Sequence, residues 1–290
     1  MNDYSKIYET ITNQIIAEME KGIIPWKKPW TALAGAYNAK SGKRYTFINQ
    51  MVLLPFGGGA FASFKQWTEL GCKVKKGAKA SWIIEWFNKK VEYTVTNDDG
   101  EEEKKAYLKW YPRTYPVFHE SMVEGYTHKE PDAKENDPIK EAEQIIKAYE
   151  KFSGIKEIKR DNESSRAFYA PIPDYIQVPH INQYTNPNEY YSTLFHEMVH
   201  STGHTSRLNR GLDTKLAAFG SADYSKEELV AELGSSMIMA RLGIDTPATF
   251  TNSAAYLQAW LGKLRDDKSL LVSAASYAEA ATRYIFNENR

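Results

Sequence analysis

The chain has 290 residues, long enough for two domains of ordinary size. It is 42% hydrophobic and 26% charged, the composition of a soluble globular protein, and it has no apolar run of the roughly 18 residues a membrane span needs. Its net charge of zero hides an asymmetry. Residues 21–90 hold 13 Lys or Arg against two acids, Glu69 and Glu85, a net of +11, whereas residues 126–290 hold 19 bases against 23 acids, a net of −4. A basic segment inside a neutral chain points to a localised polyanionic partner.

Tyr4, Ile7, Tyr8, Ile11, Ile15 and Met19 recur at steps of three and four, which predicts an amphipathic helix over residues 4–20. Gly22 is its stop. The start of the chain is polar and lacks the apolar stretch of a secretory signal. The prolines of IPWKKPW prevent regular structure. RYTFINQMVLL suits a strand or the start of a buried helix. FASFKQWTELG predicts a short helix closed by Gly71, and VKKGAKASWIIEWFN predicts a turn and a strand. A β-hairpin follows in KKVEYTVTNDDGEEEKKAYLKWYPRTYPVF, with an Asp-Gly turn in its acidic tip.

These elements make an α+β first domain, residues 1–125. Residues 126–140, polar with two prolines, read as a linker. In the second domain, residues 141–290, a helix begins at about residue 138 and runs to 153. DYIQVPH reads as a strand, and helices follow over 188–203, from Ser225 to the stop at Gly243, and over 251–265 and 269–286. This half is mostly helical with a small sheet. Cys72 is the one cysteine, so neither an internal disulfide nor a thiolate metal cluster can form; a cytoplasmic setting and a structural Cys72 are expected.

The basic segment interleaves cations with rings: Trp26, Lys27, Lys28 and Trp30, then Lys43, Arg44 and Tyr45, then Lys65, and finally Lys73, Lys75, Lys76 and Lys79. Single-stranded nucleic acid is bound by such mixtures, in which cations follow the phosphates and rings stack on bases. Trp67, Trp82 and Trp86 fall on apolar faces and are expected in the core.

The second half contains LFHEMVHSTGH. On a helix, His196 and His200 share a face and can aim imidazole nitrogens at one ion, with Glu197 beside them as a general base. Such a site needs a third protein ligand. A histidine six residues past His200 is excluded, because that position is Ser206 and His204 comes two residues early. The alternative is a glutamate on the next helix, either Glu228 or Glu232, one binding the ion and the other orienting a ligand. Ser225-x-x-Glu228 also has the form of a capping box, which competes for Glu228. Tyr224 and His204 are near enough in sequence to be oxyanion donors. The strand around Ile176, taken as an edge, could hold an extended peptide.

HEMVHSTGHTSRLNR, YSKEELVAELGSSMIMARLGI and YLQAWLGKLRDDKSLLVSAASYAEAATRYI resemble the zincin-like metallopeptidase domain of antirestriction proteins of the ArdC type, and DYIQVPH resembles the strand before its motif helix. GIIPWKKPW, YNAKSGKRYTFINQMVLL and FASFKQWTELGCKVKKGAKASWIIEW resemble that family's N-terminal single-stranded-DNA-binding domain; Thr46-Phe47 departs from it. The resemblance implies Glu228 as the ligand with His196 and His200, Glu232 behind them, and Glu197 as the catalytic base. It implies Zn2+, with Mn2+ or Co2+ able to use the same donors. The implied role is a DNA-binding metallopeptidase of a mobile element or phage that protects incoming DNA from host restriction. Its partners would be single-stranded DNA and an unidentified protein substrate, a host restriction component being one candidate, with no membrane. The competing readings are a protection protein with a structural or idle metal site and a general cytoplasmic zinc peptidase.

Overall fold

The structure, a computed structural model, describes residues 4–22, 24–25, 35–96, 102–128, 138–161, 163–164, 166–184, 186–214, 222–244 and 254–288. In chain order its first half contains α1 (Ser5–Met19), β1 (Tyr37–Asn38), α2 (Phe47–Leu53), β2 (Ala60–Ala62), α3 (Phe64–Glu69), β3 (Lys73–Val74), β4 (Ser81–Thr96), β5 (Glu102–His119) and β6 (Val123–Glu124). The second half contains α4 (Pro138–Ser153), β7 (Glu157–Asp161), β8 (Phe168–Ala170), β9 (Tyr175–Pro179), α5 (Pro187–Ser201), α6 (Ala222–Leu242), α7 (Ala254–Asp266) and α8 (Leu270–Ile285). The fold is α+β, and no helix among the described residues is long and apolar enough to cross a membrane.

The stripe on α1 is buried as its spacing requires: Ile11, Ile15 and Met19 are fully enclosed. The segment that periodicity leaves undecided is helix α2, with Ile48, Met51 and Val52 buried. Its Thr46 makes no side-chain cap; instead the Phe47 N–H donates to Glu279 of α8 at 3.2 Å. Helix α3 is opened by a Ser63–Gln66 capping box and followed by Gly71 at φ 76°. Trp67 on α3 is fully buried and donates from its ring to the Phe118 carbonyl.

The strand and hairpin expected from the sequence are one element. β4 runs unbroken for 16 residues and pairs with β5 from Ser81↔Val117 to Thr96↔Glu102. The Asp-Gly tip lies outside the described residues. At the base of the ribbon Ile83, Ile84 and Val117 are buried, and β5 continues into a four-stranded sheet of order β1-β2-β5-β4. Trp82 and Trp86 flank the buried Ile84 on one face of the ribbon but are 43% and 38% exposed rather than in the core.

In the second half, β7, β9 and β8 form a sheet in that order. Ile176 on β9 faces Ile158 of β7 on one side and Tyr169 of β8 on the other. The Ile176 strand is thus central, and its backbone is already paired on both sides, so it offers no edge to a peptide. The helices stack on this sheet and on one another, and the core they form takes in α1 and α2. Ile11, Ile15, Ile48 and Met51 belong to the same buried cluster as Leu194, Phe195, Leu229 and Leu271. Polar ties cross the same boundary: Thr12 donates to the Lys268 carbonyl, and Glu20 pairs with Arg265.

Candidate metal centre

Asn186 caps α5, accepting from the Glu189 N–H at 3.1 Å, and Pro187 occupies the first turn, where it has no bond to lose. Tyr190, Leu194, Phe195, Met198 and Val199 bury one side of α5, leaving His196 and His200 half-buried on the other. Helix α6 crosses against α5 with little room. A Cβ on Gly234 would lie 2.7 Å from Val199 Cγ2, so glycine is what permits the approach. Glu227 stands seven residues, two helical turns, before Gly234 and on the same face. Helix α6 also begins earlier than expected. From its start at Ala222, Ser225 and Glu228 are interior residues, so the capping box does not form; the Ser225 hydroxyl accepts from Lys263 instead.

His196 Nε2 and His200 Nε2 are 3.1 Å apart, and the Glu228 carboxylate oxygens approach each of them at 3.6 Å. The three donors lie within 4.8 Å of one another. Donors about 2.0–2.1 Å from one tetrahedral ion are separated by roughly 3.3–3.4 Å, so the spacing fits a single ion. The chemistry fits as well. His200 Nδ1 lies 3.2 Å from Glu227 Oε1, which places its proton on Nδ1 and leaves the Nε2 lone pair facing the other donors.

Glu227 is itself held. Arg210 grips it twice, Nε to Oε2 at 2.9 Å and Nη2 to Oε1 at 2.7 Å, and also binds the Val199 carbonyl and the Thr202 hydroxyl. Burial would raise the Glu227 pKa, but the hydrogen bonds from His200 and Arg210 outweigh it and keep the carboxyl below its ordinary value. For His200, burial opposes charge, yet the bond to Glu227 and the fields of Glu197, Glu227 and Glu228 raise its pKa. With Glu227 paired to Arg210, the Glu228 carboxylate beside the two histidines suits the site to a cation. Deeper in, the enclosed Arg207 donates to the Ser201 carbonyl and pairs with Asp174, while Tyr149 bonds the Ser201 hydroxyl at 2.7 Å. These contacts fix the end of α5 that carries His200.

Of the residues expected here, His196, His200 and Glu228 come together, and Glu197, only 8% exposed, sits between the two histidines in sequence. Glu232 is outside the three; the carboxylate on His200 is Glu227, which adjacency to Glu228 could have suggested and spacing did not. Nothing in the sequence marks Arg210. His204 is occupied by Ser206 at 2.8 Å and Asp213 at 3.3 Å. The side chain of Tyr224 lies outside the described residues.

In the first half, Trp26, Lys27, Lys28 and Trp30 also lie outside them. Tyr45 is half-buried: its hydroxyl donates to the Phe61 carbonyl and accepts from Asn38, and burial pushes its pKa up to about 12. Lys43 and Arg44 are exposed beside the β1 turn. Lys65 and Lys40 both approach Glu69, and Lys75 donates to the Ser121 carbonyl. Lys73, Lys76 and Lys79 are exposed around the turn after β3. Cys72 is buried.

A helix carrying two histidines four apart, crossed by a second helix that brings a glutamate to them, defines a zincin-like domain. A family model described as a zincin-like metallopeptidase matches residues 145–277, and one described as the N-terminal domain of anti-restriction factor ArdC matches residues 5–118. An uncharacterized protein, y4eC, of Sinorhizobium fredii is 31% identical over 94% of this chain and 89% of its own length. Two DNA primases TraC of Escherichia coli are each 31% identical over 98% and 96% of the chain, which spans only 20% and 27% of those proteins. Crystal structures of the antirestriction protein ArdC from plasmid R388, metal-free and Mn(II)-bound, match at 32% and 31% identity with TM-scores of 0.69, covering 98% and 97% of this chain and 99% and 97% of theirs. The chain belongs to the ArdC antirestriction family.

Proposed function

We propose that the protein is a metal-dependent peptidase that also binds single-stranded DNA and protects incoming DNA from restriction. The observation that carries the peptidase reading is the convergence of His196, His200 and Glu228 on a helix pair whose first helix also carries Glu197, a buried glutamate next to His196 in sequence. A structural site would need no such base. His196, His200 and Glu228 would hold the ion; zinc suits the donors, and the R388 relative was crystallised with Mn(II). When bound, the ion supplies a polarised water and carbonyl. Glu197 takes the proton of the attacking water and returns it to the leaving nitrogen. Glu227 and Arg210 keep the His200 ring aimed. The +11 segment and the recurrence of this sequence type inside DNA primases support a nucleic-acid partner.

Calorimetry is expected to give one divalent ion per chain, lost in His196→Ala and kept in Glu197→Gln. Glu197→Gln should also abolish peptide cleavage and the protection of incoming DNA in cells. Full protection by Glu197→Gln would instead assign protection to DNA binding alone, with an idle metal site.

A further inference from the structure

The outer part of the β4–β5 ribbon carries exposed rings, among them Phe87, Tyr93, Tyr107 and Trp110, that are not among the residues the sequence singles out for DNA. Residues opposite one another in an antiparallel pair share a face, so the register sorts the two sides. One side runs outward through Phe87–Tyr111, Lys89–Lys109 and Val91–Tyr107. Arg113 lies one rung toward the body, opposite Glu85, and Tyr93 lies at the outer end. The Arg113 guanidinium sits 5.4 Å from the Phe87 ring centre, and the Lys109 ammonium 5.7 Å from that of Tyr111. Tyr93 and Tyr107 meet edge to face at 5.9 Å. Cations and rings therefore alternate along this side at the two-residue repeat of a strand, about 7 Å.

The reverse side differs. Trp86, Trp110 and Leu108 dominate it, and its Lys90 is paired with Glu92 at 3.0 Å. On the first side Lys105 is similarly paired with Glu103, but the rungs of Lys89, Lys109 and Arg113 include one acid, Glu85. At the inner end, Tyr4, just before α1, lines a groove of about 350 Å³ together with Phe87, Lys89, Tyr111, Pro112 and Arg113. The groove joins the Phe87 and Tyr111 rings to the cations of the rungs on either side.

We infer that this side of the ribbon is a track for extended single-stranded nucleic acid, with bases on Phe87, Tyr111 and Tyr107 and phosphates on Lys89, Lys109 and Arg113. The occupant follows from charge and shape. An excess of cations calls for a polyanion, and flat exposed rings at regular spacing call for unpaired bases, which a duplex keeps stacked inside. The inference rests on the nucleic-acid reading above and changes where it is realised.

The test uses the full chain and fluorescein-labelled oligothymidylate, with anisotropy read across a salt series. The Lys89→Ala/Lys109→Ala double variant should lower the slope of log K against log salt by about 1.4, roughly 0.7 for each phosphate no longer neutralised. Tyr107→Ala should weaken binding between about fivefold and a hundredfold at fixed salt. The altered side chains are exposed, and unchanged melting temperatures confirm folding. If the wild type binds with a steep salt slope and these variants match it while Lys73→Ala/Lys76→Ala does not, the track is wrong and the nucleic-acid reading survives. A wild type without salt-dependent binding overturns both. Equal affinity for a labelled duplex also overturns the track, because rings cannot stack on paired bases.

Discussion

The metal cradle and the β-ribbon are built on opposite plans. In the cradle, the polar groups that aim the donors are held by others: His200 by Glu227, Glu227 by Arg210, and the end of α5 by Arg207 and Tyr149. On the ribbon, rings and cations contact one another at the surface, and most of the rings are more than a third exposed. Each plan follows from what its surface has to hold. A site that must place three donors around one ion is enclosed and over-determined; a surface that meets a flexible polymer can be an open ladder.

The largest effect that would break this contrast falls on Glu227. It lies behind the proposed ligands, yet Glu227→Gln should weaken divalent-ion binding about 10–100-fold by calorimetry, because the neutral amide accepts more weakly from His200 Nδ1 and no longer raises the basicity of the ring. Glu232→Gln should cost less. The reverse order would return the orienting role to Glu232 and show that the Glu227–Arg210 pair serves only to join α5 to α6.

The cradle is unevenly legible in the sequence. His196, Glu197 and His200 are readable because a helix makes neighbours of residues four apart. Glu228 is a candidate that competes with a cap, and only the earlier start of α6 removes that competition. Arg210 and Glu227 meet although they are 17 residues apart, a separation with no periodicity to read. For the fold, the amphipathic helices and the short helix at Ser63 are legible from spacing and capping residues. The length of β4, the central place of β9 and the core shared between the two halves are not, because each depends on pairing or packing between segments far apart in sequence. The ribbon's two faces emerge only from a register that sets Lys89 opposite Lys109.

A second contrast is in stability. Gly234→Ala puts a methyl group 2.7 Å from Val199 Cγ2, where α6 packs on α5. The overpacking should cost about 1–3 kcal/mol in denaturant unfolding and weaken ion binding with it. Leu108→Ser on the ribbon, at a side chain 59% exposed, should stay within about 0.5 kcal/mol of wild type. A large loss for Leu108→Ser would mean that the reverse face of the ribbon, opposite the proposed track, is packed against something in solution.

The smallest effect lies where the two halves meet. Glu279 of α8 accepts from the Phe47 N–H and so caps α2, whose own Thr46 does not. Burial raises the Glu279 carboxyl above its ordinary 4.5, against the opposing pull of that N–H and of Arg283. A carboxyl whose pKa is higher folded than unfolded holds its proton more tightly in the folded state. Its stabilisation is therefore complete below the unfolded value and is lost as pH rises through the folded one. Glu279→Gln keeps an oxygen to accept from Phe47 and removes the charge. Its melting temperature should exceed that of wild type at pH 8, and the gap should close as pH falls below 4.5. A gap that does not change with pH would show that the carboxylate is solvated when ionised, and that the junction between the halves is looser than the cradle it adjoins.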